Sequence, residues 1–429
     1  MRLFYNLLIY ALQLPVAVYW LVRGLINSSY RDRFGQRFGI GYPWIGRCIW
    51  IHAVSVGEVQ AAVPLVRAIE KRFPDIEMLI TTVTPTGAAR VRSAFGDTVK
   101  HCYIPLEMPI AVDRFYESVN PELALIMETE IWPNLYRGCG VRDIPLVLVS
   151  ARISPKSVDS YHKFLPLFRD TLSHGIIIAA QSEADGERFR ALGASPVRTW
   201  VTGNIKFDIE LPADLADRGR EFRVRTFGDR PVWVAASTHD QEEQQVLQAH
   251  RILQRRFPDV LLVLVPRHPE RFAAVREAIE KEGFACVART DGSACEPSTD
   301  VFLGDTMGEV PLFYAASDAA FVGGSMVPIG GHNLLEPAAL GLPVVIGPYV
   351  YNAQEIADMF VELGACRMVD DAAGLADAIG ELLADPERAA SVGRKGLRIV
   401  QQNRGALDRL LGLLDPLIGD TEMHEEAAC

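Results

Sequence analysis

Two glycine pairs, Gly323-Gly324 and Gly330-Gly331, separate an apolar run ending at Val322 from the segment His332-Asn333-Leu334-Leu335-Glu336-Pro337. Gly lets a backbone turn tightly and approach a ligand where any Cβ would obstruct. Asn333 is placed to cap a following helix, whose first-turn N–H groups suit a phosphate. Glu336 is placed to reach a neighbouring sugar hydroxyl. Asn333-x-x-Glu336 also reads as a capping box at an ordinary strand-to-helix turn. Two glycine pairs exceed what a cap requires, so the spacing predicts a nucleotide-sugar phosphate site.

Other reactive side chains also follow apolar runs. His52-Ala53-Val54-Ser55-Val56-Gly57-Glu58 puts a carboxylate at a glycine-containing turn, although Ser55-x-x-Glu58 fits a capping box equally well. Glu128 and Glu130 end another apolar run and would share one face if the strand continued. A metal could use such a pair, but the chain has no Asp-x-Asp and no His nearby. Leu262 to Pro266 leads into Arg267, whose guanidinium suits bidentate binding of phosphate oxygens. Ser237-Thr238-His239, Met307-Gly308-Glu309 and Gly203-Asn204-Ile205-Lys206 occupy comparable loops.

Elements that could carry these loops alternate between strand and helix. Predicted strands are Cys48 to Ala53, Met78 to Thr82, Leu123 to Met127, Leu146 to Val149 and Gly175 to Ala180. The alternation restarts with Val232 to Ala236, Leu261 to Val265, Ala319 to Val322 and Val344 to Ile346. Such a pattern implies parallel sheets flanked by helices. Ile69-Glu70-Lys71-Arg72-Phe73-Pro74-Asp75 is echoed by Leu253-Gln254-Arg255-Arg256-Phe257-Pro258-Asp259, which suggests two similar domains. The boundary is expected between Lys206 and Pro231. Two such domains facing a cleft would line it with the functional loops of both.

The N-terminus is different. Leu3 to Val22 carries no formal charge over 20 residues and is followed by Arg23, Arg31, Arg33, Arg37 and Arg47. Its length barely spans a bilayer, so a spanning anchor and an in-plane helix both remain open. The arginines would stay on the cytoplasmic side, near anionic headgroups. A net charge of −11 argues against a nucleic-acid partner. Seven scattered Cys, never in Cys-x-x-Cys spacing, suggest reduced thiols.

Together these motifs resemble the 3-deoxy-D-manno-octulosonic acid (Kdo) transferases. The resemblance rests on His52-x-x-Ser55-x-Gly57-Glu58, Met127-Glu128-Thr129-Glu130-x-Trp132-Pro133-Asn134 and Gly203-Asn204-x-Lys206-Phe207. It also rests on Val265-Pro266-Arg267-His268-Pro269-Glu270-Arg271, Gly304-Asp305-Thr306-Met307-Gly308-Glu309 and Gly330-Gly331-His332-Asn333-x-x-Glu336. It implies a glycosyltransferase B fold: two Rossmann-like α/β domains behind an N-terminal hydrophobic anchor helix. The expected divisions are an anchor at 1–26, an acceptor-binding domain at 27–210, a CMP-sugar-binding domain at 211–418 and a tail at 419–429.

The resemblance further implies an inverting transfer of Kdo from CMP-Kdo to lipid A precursor, at the cytoplasmic face of the bacterial inner membrane. No cofactor or metal is implied. Glu58 would be the base, with Glu128 and Lys206 supporting the transition state. Pro266, Arg267, Met307, Gly308, Glu309, Asn333, Leu334, Leu335 and Glu336 would hold CMP. One departure is Gln36, where the family's basic stretch usually has Glu, and it puts local acceptor contacts in doubt. Arg152, Lys156, His162, Lys163 and Arg169 form a second basic stretch suited to a membrane-facing or solvated helix. Another nucleotide-sugar transferase or epimerase of the same fold, or a non-enzymatic membrane-surface module, is the alternative.

Overall fold

The computed structural model describes residues 2–162, 164–172 and 175–426. Met1, Lys163 of the second basic stretch and 427–429 of the expected tail lie outside the described residues. The chain forms two compact α/β units, one running to Asp208 and including everything from Arg404 onward, the other Ile209–Asn403.

In the first unit seven strands form one parallel sheet: β1 Cys48–His52, β2 Glu77–Thr82, β3 Lys100–Tyr103, β4 Pro121–Met127, β5 Leu146–Ala151, β6 Ile177–Ala180 and β7 Thr199–Val201. Their order is β3-β2-β1-β4-β5-β6-β7. In the second unit the strands are β8 Val232–Thr238, β9 Leu261–Pro266, β10 Cys286–Ala288, β11 Val301–Leu303, β12 Ala319–Val322, β13 Val344–Ile346 and β14 Cys366–Met368. Their order is β10-β11-β9-β8-β12-β13-β14, again parallel. Every residue of β1 and of β9 is buried, as expected for strands covered on both faces.

Chain direction across each sheet reverses beside its first strand. That switch point lies between β1 and β4 (His52 paired with Ile126) and between β8 and β12 (Ala236 paired with Val322). In open parallel sheets the crevice for a ligand opens at the carboxyl ends of such strands. The sequence echo falls on equivalent helix ends. Phe73 N donates to Ile69 O and Phe257 N to Leu253 O, each at 2.8 Å. Both phenylalanines then pack on the core of their own unit.

Three corrections concern the termini. Residues 404–418, expected in the second domain, belong to the first unit. Helix Ala406–Glu426 buries Ala406, Leu410, Leu414 and Ile418 in the first core, and Asp208 accepts from Gly405 N and Leu407 N at its start. That helix also continues through the described part of the expected tail.

The single expected anchor helix is instead two, Arg2–Ala11 and Gln13–Ile26, bent by 44°. Pro15 has no N–H for the Ala11 carbonyl and its ring crowds that carbonyl, which breaks the helix one turn earlier. No single helix among the described residues is long and apolar enough to cross a membrane.

The arginines expected to meet headgroups are largely engaged by the protein. Arg37 is buried, donates to Val83 O at 2.7 Å and is sandwiched between the Trp20 and Tyr103 rings at 3.8 and 4.5 Å. Arg31 bonds Gly24 O, Arg33 bonds His101 O, and Arg47 pairs with Glu122. Helix ends and strand ends offer bare carbonyls, and nearby guanidinium groups satisfy them.

Candidate active site

Ser55 starts helix Val56–Arg72 directly after β1, with extended backbone and its Oγ accepting from Glu58 N. Glu58 turns back over this start. Its Oε2 accepts from Val54 N at 2.8 Å and its Oε1 from Ser55 Oγ at 3.2 Å. The capping carboxylate and the candidate base are therefore the same side chain. Burial, with added repulsion from Glu128 and Glu130, pushes Glu58 up to about 7 despite those hydrogen bonds. A carboxyl poised there can accept a proton near neutral pH.

Across the switch point, β4 ends at Met127 and Glu128 adopts φ 57°, so the carboxylates at 128 and 130 do not share a strand face as expected. That left-handed backbone costs roughly 1–2 kcal/mol for a non-Gly residue. Two cations offset it: Lys206 Nζ lies 2.7 Å from Glu128 Oε1, and Arg152 Nε lies 2.9 Å from Oε2. Burial favours a protonated Glu128, but Lys206 and Arg152 outweigh it and hold the carboxyl below its ordinary value. Lys206 is placed by the short turn Ile205–Phe207, where Asn204 Oδ1 accepts from Lys206 N. Glu130 accepts from Trp132 Nε1 at 2.7 Å.

The second unit presents Arg267 exposed at the end of β9, tied by its N–H to Thr238 O. It has no salt bridge among the described residues. The glycine run has a more structural role than its composition predicts. The buried Glu242 carboxylate fills it, accepting from Gly324 N, Ser325 N and Met326 N at 2.7–3.1 Å and also from His239 N. A Cβ on Gly323 would stand 2.6 Å from Ser237 O, so this Gly serves the close approach of two loops. The predicted helix after the second pair is only Leu335–Ala339, with Leu334 rather than Asn333 at its N-cap. Asn333 Oδ1 still accepts from Leu335 N, and its Nδ2 bonds Glu336 Oε1.

The remaining expected residues divide. Pro266 is buried as the last residue of β9, and Leu334 and Leu335 are buried as well. Met307 is exposed beside Gly308, whereas Glu309 is held by Arg289 at 2.9 and 3.0 Å and by Thr306. One unforeseen contact joins His239 Nε2 and His332 Nε2 at 2.7 Å.

The chain is 40% identical to the 3-deoxy-D-manno-octulosonic acid transferase of Haemophilus influenzae, over 97% of its own length and 99% of that protein. The chain belongs to the Kdo transferase family. The Bordetella pertussis relative of the same description is 35% identical, over 90% of this chain and 91% of that one. Residues 32–209 match the family described as 3-deoxy-D-manno-octulosonic-acid transferase, and residues 230–398 match glycosyl transferases group 1. The protein is thus a glycosyltransferase. Among solved structures, UDP-GlcNAc 2-epimerase from Neisseria meningitidis gives a TM-score of 0.53 at 15% identity, covering 85% of this chain and 100% of that one. A putative UDP-N-acetylglucosamine 2-epimerase from Listeria monocytogenes gives 0.52 at 16%, covering 86% and 95%. These likenesses show the fold alone, two parallel-sheet α/β domains of the glycosyltransferase B kind.

The sequence marks the candidate residues more clearly than the partners that hold them. Arg152 was legible only as one charge in a basic stretch. Glu242 carried no signal at all, because the Gly324, Ser325 and Met326 N–H groups it accepts from lie 82–84 residues away.

Proposed function

We propose that this Kdo transferase moves Kdo from CMP-Kdo to lipid A precursor, with Glu58 as the base. The observation that carries this reading is the place of the Glu58 carboxyl, held at the end of β1 by Val54 N and Ser55 Oγ, where burial raises it to about 7 near a second carboxylate that two cations keep ionised. An acceptor hydroxyl loses its proton to Glu58 as its oxygen attacks the anomeric carbon. The bond from that carbon to the phosphate oxygen breaks with both electrons leaving on CMP, and configuration inverts. Glu128, fixed by Lys206 and Arg152, supplies the field in which charge develops. In the second unit Arg267, exposed and unpaired, is the cation for the departing phosphate. Pro266, the Met307–Glu309 loop and the Asn333–Glu336 turn hold the rest of CMP. Neither a cofactor nor a metal takes part.

The acceptor is a membrane lipid, and the N-terminal helices suit work at the cytoplasmic face of the inner membrane. Leu3, Phe4, Leu7, Leu14, Leu25 and Ile26 are each more than 60% exposed. Tyr5 donates to Glu107, and Asn6 accepts from Asn134. A helix held to its own unit by such contacts, with apolar side chains outward, lies in the bilayer surface rather than across it.

Incubating Glu58→Gln with CMP-Kdo and lipid A precursor, and weighing the products, tests the assignment. We expect transfer to fall by at least a thousandfold with CMP binding intact. Retained transfer would remove Glu58 from the chemistry.

A further inference from the structure

Two histidines close the carboxyl end of the second sheet. His239 follows β8, His332 follows the second glycine pair, and their rings lie within 10° of parallel at 5.0 Å between centroids, edge to edge. Their Nε2 atoms are 2.7 Å apart, so one proton lies between them. With both rings neutral, one is an Nε2–H donor and the other an Nε2 acceptor that carries its hydrogen on Nδ1. His268 stands edge-on to His239 at 5.3 Å.

The surroundings are cationic. Burial, then His268, Arg267 and Arg271, hold His239 down to about 4. Burial, then Arg267, His239 and His268, hold His332 down to about 3. The neighbouring carboxylates are committed elsewhere: Glu242 to the glycine run, Asp240 and Glu243 to Arg271, and Glu336 to Asn333. His268 faces Glu270 at 4.0 Å. Burial is the larger reason the pair stays neutral, and an anion settling on Arg267 would cancel the cationic repulsion that adds to it and would itself favour a proton on the pair.

Glycosyl transfer creates such an anion. While CMP is esterified to a sugar its phosphate is a diester with one negative charge. When the sugar bond breaks, the electron pair stays on the phosphate oxygen and the charge becomes two, since the second phosphate ionisation lies near 6. We propose that the His239–His332 pair takes one proton from solvent as this second charge appears, so that the site recognises the phosphomonoester leaving group over the diester. The proposal rests on the donor reading above. Through it the pair would favour bond cleavage by stabilising the product-like charge.

Calorimetric titration with CMP near pH 8, in two buffers of different ionisation enthalpy, measures the protons taken up. We expect roughly one proton per CMP bound, and CMP affinity falling by up to tenfold for each pH unit above 7. The methyl ester of CMP, a diester, should bind without uptake. In His239→Gln and in His332→Gln, CMP should still bind through Arg267, with uptake lost and affinity flat across the same range. CMP binding without proton uptake in the unaltered protein would overturn the proposal and leave the donor reading intact. Equal uptake with the diester, or undiminished uptake in both variants, would overturn it too. Failure of CMP to bind at all would overturn both readings.

Discussion

Lys206 Nζ sits 2.7 Å from Glu128 Oε1, so a residue beyond the edge strand β7 is paired with one beyond the central strand β4, 78 positions earlier. Both side chains are mostly shielded, and Arg152 completes the carboxylate's partners. Lys206→Ala should therefore leave Glu128 short of one cation in a dry setting. We expect a stability loss of about 1–3 kcal/mol in urea unfolding and turnover reduced by more than tenfold. Combining it with Glu128→Gln should cost less stability than the two changes summed. Strict additivity would mean that the pair is not coupled.

Glu58 sets a pH profile. Its folded value of about 7 lies above the ordinary carboxyl value, so the native protein keeps a proton that the unfolded chain releases. The stability this provides is fully present below the ordinary value and is lost as pH rises through 7. Activity runs the opposite way, because only the ionised base works. Turnover under subsaturating donor should rise about tenfold per pH unit below 7 and level off above it. Glu58→Gln should flatten the fall in stability between pH 5 and 8. A rate profile with no inflection near neutrality would contradict the assignment.

Arg267 and Glu242 should separate binding from folding. Arg267→Ala removes an exposed cation with no salt bridge among the described residues and should weaken CMP binding by about 2–3 kcal/mol, read by calorimetry, with the melting temperature nearly unchanged. Glu242→Ala strands four backbone N–H groups and should destabilise by about 2–4 kcal/mol. An unchanged dissociation constant in the first variant would take Arg267 out of the phosphate site.

Surface apolar side chains on the N-terminal helices should govern lipid contact. Phe4→Ser, Leu14→Ser and Leu25→Ser together should cut binding to anionic vesicles strongly. Turnover of detergent-dispersed acceptor should stay within about tenfold, roughly 1.4 kcal/mol. Unchanged vesicle binding would refute the membrane reading. Deleting residues 1 to 22 is a poorer test, since it also uncovers Arg37 and strips Tyr5 from Glu107.

Much of the architecture was written in local patterns. Apolar runs such as Leu261–Pro266 are buried on both faces, so they stand out from the amphipathic helices between them. Four short strands, β3, β7, β10 and β14, went unread because they are sheet edges and only partly buried, so no continuous apolar run marks them, and the three-residue β11 was missed as well. The positions of the candidate residues were legible too, since Glu58, Glu128, Arg267 and Lys206 each follow a strand or a glycine turn.

What the sequence by itself determined is therefore the family, the two parallel-sheet units and the side chains at their strand ends. Tertiary structure alone decided where those side chains spend their charge. Five arginines after an apolar segment look like a headgroup patch, yet Arg37 is buried between aromatic rings and Arg31 and Arg33 serve carbonyls. Gly323-Gly324 looks like an open phosphate loop, yet Gly323 N already donates to Ala236 O and Gly324 N to Glu242. His239 and His332, 93 positions apart, become one hydrogen-bonded pair. Composition and spacing report what a residue can do within a turn or two. Its partner, which sets its protonation and its availability, is fixed by contacts that only the folded sheet brings within a few ångströms.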